Sequence, residues 1–110
     1  MRTANLLASL GFVLAVALSV HAAAQSRFYT FERHSDRPGL DYSNSPSKSA
    51  EECSFSCQAD GTRCRAWTYV RPGVQGPSGR CWLKTGIPRS VENNCCTSGA
   101  RTGDRPQKFD

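Results

Sequence analysis

The placement of six cysteines constrains this chain more than any other feature. Cys53, Cys57, Cys64, Cys81, Cys95 and Cys96 make an even set, and none precedes residue 53. In a reducing compartment such a set implies thiols or metal ligands, whereas in an oxidising one it implies a disulfide framework. The first residues decide between the two. Arg2 supplies a positive start, residues 6–20 form an apolar run, and the small residues Ala22 and Ala24 suit a signal peptidase cutting between Ala24 and Gln25. About 15 apolar residues fall short of the roughly 20 that a membrane-spanning helix needs. The reading is a cleaved signal peptide over residues 1–24 and a secreted or periplasmic product, with no later segment apolar enough to stay in a bilayer.

Removing 24 of the 110 residues leaves 86, which is one small domain at 25–110 whose core is only modestly stabilising by itself. Disulfides are the natural supplement. Loss of Arg2 leaves 13 Lys and Arg against 9 Asp and Glu, a formal charge of +4. That balance attracts acidic partners, such as an anionic polysaccharide or a membrane surface, at long range. It serves plain solubility equally well. The basic residues are scattered rather than run together, and with export this argues against a nucleic-acid partner.

Along the chain, residues 27–33 carry aromatic and β-branched side chains with Tyr29 and Phe31 on one face, which suits an opening strand. Residues 35–39 (Ser-Asp-Arg-Pro-Gly) are turn chemistry, and residues 43–47 continue as polar loop. Ser49-Ala50-Glu51-Glu52 is a capping box, so a helix starts there, runs to about Asp60 and stops at Gly61. Ala50, Cys53 and Cys57 fall at helical spacing and face the core together. Residues 65–70 alternate as a strand, with Trp67 and Tyr69 on one face and Ala66, Thr68 and Val70 on the other. Residues 71–79, rich in Pro and Gly, form a long hairpin loop leading to a second strand over 80–84 that turns Cys81 and Leu83 inward and Trp82 the other way. Residues 86–94 read as loop, 96–101 as a closing strand, and 102–110 as a polar tail.

This run of motifs resembles the PAN/Apple family, in particular its short bacterial PAN domains that follow a signal peptide. The resemblance rests on Asp36-Arg37-Pro38-Gly39 with Asp41-Tyr42, on Ser49-Ala50-Glu51-Glu52-Cys53 with Cys57, and on Cys64-Arg65-Ala66-Trp67-Thr68-Tyr69. It continues with Cys81-Trp82-Leu83-Lys84 and Cys95-Cys96-Thr97-Ser98-Gly99, and covers about residues 28–101. It implies an α+β fold, a curled antiparallel sheet with one helix packed across it and tied down by disulfides Cys53–Cys81 and Cys57–Cys64. In the chain-entropy model these closures stabilise by about 3.6 and 2.5 kcal/mol. The chain departs from the larger Apple pattern, where an early cysteine pairs with a late one, because no cysteine lies between Gln25 and Glu52. Cys95 and Cys96 then have three fates: a vicinal disulfide, which is the expectation, free thiols, or a bridge to another chain. A bridge between adjacent residues departs from ordinary disulfide geometry and would be the labile one.

Catalytic and metal chemistry find little support. There is no C-x2-C pair for zinc. His34, next to Ser35 and Asp36, reads as an exposed loop residue, since sequence neighbours point apart and cannot assemble a triad. No phosphate-binding glycine pattern occurs, and no cofactor or metal is expected. Trp67, Tyr69 and Trp82 are expected to form a second layer of the core rather than an open stacking face, because so small a domain tolerates exposed indoles poorly. The resemblance implies a module that binds a protein or carbohydrate partner outside the cytoplasm, and the chain is expected to be non-catalytic and monomeric. Loops on a rigid scaffold are where recognition sits. The candidates are therefore Asp36, Arg37, Asp41 and Tyr42 in the first loop, Arg71 at the hairpin loop, and Arg65 with Lys84 at a basic edge. Two rival functions remain: a cationic secreted effector acting on membranes or inhibiting an enzyme, and a redox role for Cys95 and Cys96.

Overall fold

The computed structural model describes residues 29–103. The expected signal peptide with its cleavage site, and the tail from residue 104 onward, lie outside them. Within them the chain runs β1 (Glu32–Asp36), β2 (Asp41–Pro46), α1 (Ala50–Ala59), a 3-10 turn (Gly61–Arg63), β3 (Ala66–Val70), β4 (Arg80–Lys84) and β5 (Val91–Ala100). The strands make one antiparallel sheet in the order β1-β5-β3-β4-β2. This is the α+β arrangement that the motifs imply.

Helix α1 begins where the sequence requires. Ser49 has extended backbone and its Oγ accepts the Glu52 N–H at 3.0 Å. The reciprocal half of the capping box is displaced by one residue: the Glu52 carboxylate accepts the Lys48 N–H at 3.0 Å rather than that of Ser49, and also receives the Ser47 hydroxyl at 3.3 Å. A carboxylate in the first turn still meets the positive end of the helix dipole, so the cap loses little by the shift. At the other end Asp60 donates its N–H to the Ser56 and Cys57 carbonyls, and Gly61 takes φ +69°, a conformation that favours glycine.

The face of α1 that carries Ala50, Cys53 and Cys57 is buried against β3 and β4. Alternation sends Trp67 and Tyr69 of β3, and Cys81 and Leu83 of β4, to that same side, where they complete the core. Two disulfides fix the packing, Cys53–Cys81 and Cys57–Cys64, each with Cα atoms 5.3 Å apart. All four cysteines are buried. Trp67 is fully enclosed beneath Phe31, with ring centroids 5.6 Å apart, and lies opposite Gly99 of β5. A methyl group at Gly99 would stand 2.6 Å from the Trp67 indole nitrogen and collide with the Thr30 carbonyl. The glycine is what lets the indole approach β5 this closely. The indole N–H itself has no hydrogen-bond partner among the described residues.

Three boundaries differ from the sequence reading, all at the periphery of the sheet. The opening strand lies later, at Glu32–Asp36, with Tyr29 contributing only an isolated bridge to Arg101. The turn accordingly shrinks to the residues around Gly39 and Leu40, both with positive φ. Residues 43–47, expected as loop, mostly belong to β2, which is polar because it is an exposed edge paired on one side to β4. Its Pro46 sits where an edge strand can dispense with an N–H donor. Strand β5 starts at Val91, not Cys96, because β1 pairs with its first residues. In each case the partner strand, not local propensity, creates the element.

Candidate functional site

The two faces of the sheet meet different fates. On the side away from α1, Ala66, Thr68 and Val70 of β3 stand beside Trp82 and Lys84 of β4 and beside Cys96, Ser98 and Ala100 of β5. The segment after β4 covers part of this side, since Ile87 packs on Ala66 and Ala100. The remainder is a half-open cleft of about 290 Å³. Its floor is Thr68 and Val70. One wall is Trp82 and Lys84 with Asp41, Gly39 and Pro38; the other is Asp36 with Cys95 and Cys96; Val74 and Gln75 of the hairpin loop close one end.

A register break shapes the second wall. Between Arg33↔Thr97 and Ser35↔Glu92 the pairing advances two residues on β1 and five on β5, so residues 93–96 stand opposite His34 alone. Such a bulge bends a strand and re-aims its side chains. Here it carries Cys95 and Cys96, whose sulfurs are joined, into the cleft. The outer end of the bulge is held by Arg71, whose N–H and Nε donate to the Cys95 and Asn94 carbonyls at 3.0 and 3.1 Å. His34, expected in a loop, is instead the exposed β1 residue at this break, with φ 55°, while its neighbour Ser35 is buried. The two side chains diverge, as the sequence argument requires.

Most polar groups of the cleft are engaged with one another. Lys84 is buried, and its Nζ donates to Asp41 Oδ1 at 2.6 Å and to the Gly39 carbonyl at 3.2 Å. The Thr68 and Ser98 hydroxyls share a hydrogen bond at 2.8 Å, and Ser98 Oγ also lies 2.8 Å from the Ser35 carbonyl. The Trp82 indole N–H donates to Gln75 Oε1 at 2.9 Å, holding the ring against the hairpin loop. Asp36 differs: its partly buried carboxylate has no hydrogen bond or ion pair among the described residues. Its oxygen and the Cys95 and Cys96 sulfurs lie within 4.8 Å of one another. With the sulfurs bonded together, that cluster offers no thiolate to a metal ion.

Of the seven candidate residues, the fold brings Asp36, Asp41 and Lys84 to this cleft and takes the others elsewhere. Arg37 is a clamp: its Nε and Nη2 donate to the Glu32 carboxylate, both at 2.9 Å, and Nη1 donates to the Pro88 carbonyl at 2.6 Å. Burial alone would raise the Glu32 pKa, but hydrogen bonds from Arg37 and Thr30 and the charge of Arg37 outweigh it and hold the carboxyl below its ordinary value. Tyr42 points to the helix end, donating to Asp60 Oδ2 at 2.5 Å beneath the Arg63 guanidinium. Burial, that hydrogen bond and the Asp60 charge push its phenol well above the usual range. Arg65 hydrogen-bonds through its backbone to Lys84 and Arg101, and Arg71 braces the bulge.

The expected shared face of Trp67, Tyr69 and Trp82 does not exist. The first two lie under α1, whereas Trp82 pairs with Thr68 on the opposite side and lines the cleft. Its parity with Lys84 was a readable signal that it leaves the core. Nothing local indicated that Asp36, Asp41, Val74 and Gln75 converge on it, because those contacts follow from strand order.

Among the described residues no helix is long and apolar enough to cross a membrane. No curated protein and no solved structure matches the chain. PAN domains are modules of protein and carbohydrate binding and are generally non-catalytic. Residues 35–84, from the end of β1 through β4 with both helix-to-sheet disulfides inside them, match the family model described as the PAN domain, the family that the motifs of this chain resemble.

Proposed function

We propose that the protein is a non-catalytic, extracytoplasmic binding module whose protein or carbohydrate partner is held in the cleft on the open face of the sheet. The observation that carries this reading is Trp82, an indole that the alternation of β4 removes from the core and that Gln75 holds at the wall of a half-open cleft. An anchored aromatic beside a few polar groups is the usual composition of a recognition site. The Cys53–Cys81 and Cys57–Cys64 clamps on the other face make the platform rigid, which lowers the entropy lost on binding. The test is a glycan array and a protein pull-down with the secreted, oxidised protein. Retention of a ligand that Trp82→Ala abolishes supports the cleft. Retention unaffected by Trp82→Ala and Val70→Glu places binding elsewhere and overturns it.

The redox reading draws support from one feature: Cys95 and Cys96 line this cleft and Cys95 is partly exposed, whereas the other four cysteines are buried. A Cys95→Ser, Cys96→Ser double variant with full ligand binding and unchanged stability excludes it. The cationic-effector reading draws less support. Arg37, Arg71, Arg80 and Lys84 are each engaged by Glu32, the Asn94 carbonyl, Asn44 and Asp41, at separate places on the sheet. Salt-sensitive leakage from anionic vesicles is the measurement that would restore it.

A further inference from the structure

We infer that the cleft takes an isolated basic side chain, lysine or arginine, presented by a protein partner. The inference rests on the reading of the cleft as the binding site and narrows it from two ligand classes to one. Three charged side chains line the cleft, Asp36, Asp41 and Lys84, and the Lys84–Asp41 ion pair at 2.6 Å cancels two of them. The charge left over is the unpaired carboxylate of Asp36. A chain with formal net charge +5 thus has a local negative point inside its cleft.

The rest of the lining fixes what accompanies the positive group. A sugar ring needs several free donors and acceptors, but Thr68 is committed to Ser98, Lys84 to Asp41 and Gly39, and the Trp82 N–H to Gln75. Apart from the Gln75 side-chain nitrogen, what remains open beside Asp36 is apolar: Pro38, Val70, Val74 and the indole of Trp82. A largely apolar slot with one free carboxylate in its wall suits a methylene stem with a cationic tip, whose stem buries against aliphatic surface while the head meets a carboxylate and an indole face. At about 290 Å³ the space lies at the bottom of the range for ligand sites, room for one side chain and not for an extended chain.

The net positive charge of the chain selects further. It repels a polycation at a distance, yet at physiological salt that repulsion is screened beyond about 8 Å, so the local carboxylate decides at contact. The partner surface is one that presents a single protruding basic residue among neutral ones.

The probes are Nα-acetyl-lysine methylamide, its Nε-acetylated neutral counterpart, Nα-acetyl-arginine methylamide, glucose and N-acetylglucosamine. Each is titrated into the oxidised protein while the Trp82 indole N–H signal is followed by NMR. The basic probes should move that signal saturably, and Nε-acetylation should weaken the effect at least tenfold, a comparison that needs no variant. Asp36→Asn, which breaks no contact seen in the structure, should lose the same factor. Equal binding of the neutral probe, an unchanged affinity in Asp36→Asn, or no shift with basic probes up to about 20 mM, well above the millimolar affinity one such contact supports, overturns the inference. A sugar that moves Trp82 independently of Asp36 overturns it while leaving the cleft as the binding site. A captured partner indifferent to Trp82→Ala removes the cleft reading as well.

Discussion

The two faces of the sheet use the same strands and are held by opposite means. The face under α1 is closed by covalent bonds and apolar packing: two buried disulfides, Trp67, and a glycine that lets the indole approach the backbone. The open face is held by hydrogen bonds and ion pairs, Lys84 to Asp41, Arg37 to Glu32 and Thr68 to Ser98, around the cleft. A small domain gains most of its stability from one well-packed side, and this leaves the other free to be polar and recessed. The covered face should therefore carry stability and the open face selectivity.

That division can be broken experimentally, beginning with the largest effect. Trp67→Ala should cost about 3–5 kcal/mol, because the enclosed indole leaves a cavity that the clamped helix cannot collapse into; urea denaturation of the oxidised protein measures it. Opening Cys53–Cys81 by a double serine substitution should cost about 3.6 kcal/mol in the chain-entropy model, read as a fall in the urea midpoint. A loss below about 1 kcal/mol in either case would mean that the covered face is not what holds the fold.

On the open face the effects should be smaller and asymmetric. Asp41→Asn leaves the buried Lys84 ammonium without its counter-ion and should cost about 1–3 kcal/mol, the lower part of the range for such pairs because Asp41 is partly exposed. Lys84→Met removes the charge together with the need to pair it and should be much milder. Trp82→Ala should change stability by under about 1 kcal/mol while removing ligand retention. If its stability loss matched that of Trp67, the open face would be a second core and not a site.

Acid gives the mildest perturbation. The folded-state pKa of Glu32 is depressed, so its clamp to Arg37 contributes stability that is present above the ordinary carboxylate value of 4.5 and is lost as pH falls through the lower folded value. Glu32→Gln should flatten that part of the pH–stability curve, and an unchanged acid limb would show that the clamp contributes nothing.

The sequence reading succeeds where information is local and fails where it is not. The cap at Ser49, the stop at Gly61 and the face shared by Ala50, Cys53 and Cys57 are consequences of helical spacing and short-range hydrogen bonding, and they appear as read. The alternation of β3 and β4 likewise sends Trp67 inward and Trp82 outward. Strand β2 and the first half of β5 are not legible locally because their residues are polar and unremarkable in isolation, becoming strands by pairing with β4 and β1. The basic edge expected at Arg65 and Lys84 is not laid out as one, for a related reason: Lys84 lies on the cleft side of the sheet, buried and paired with Asp41, 43 residues away in sequence.

The sequence by itself determined the helix, the central strand pair and the residue types able to bridge them, since each depends on neighbours within a turn or on a period of two. The tertiary structure alone decided the cleft. Asp36, Asp41, Trp82 and the Cys95–Cys96 pair meet there because β5 inserts between β1 and β3 with a slipped register, and the register of distant strands is set by how whole faces pack.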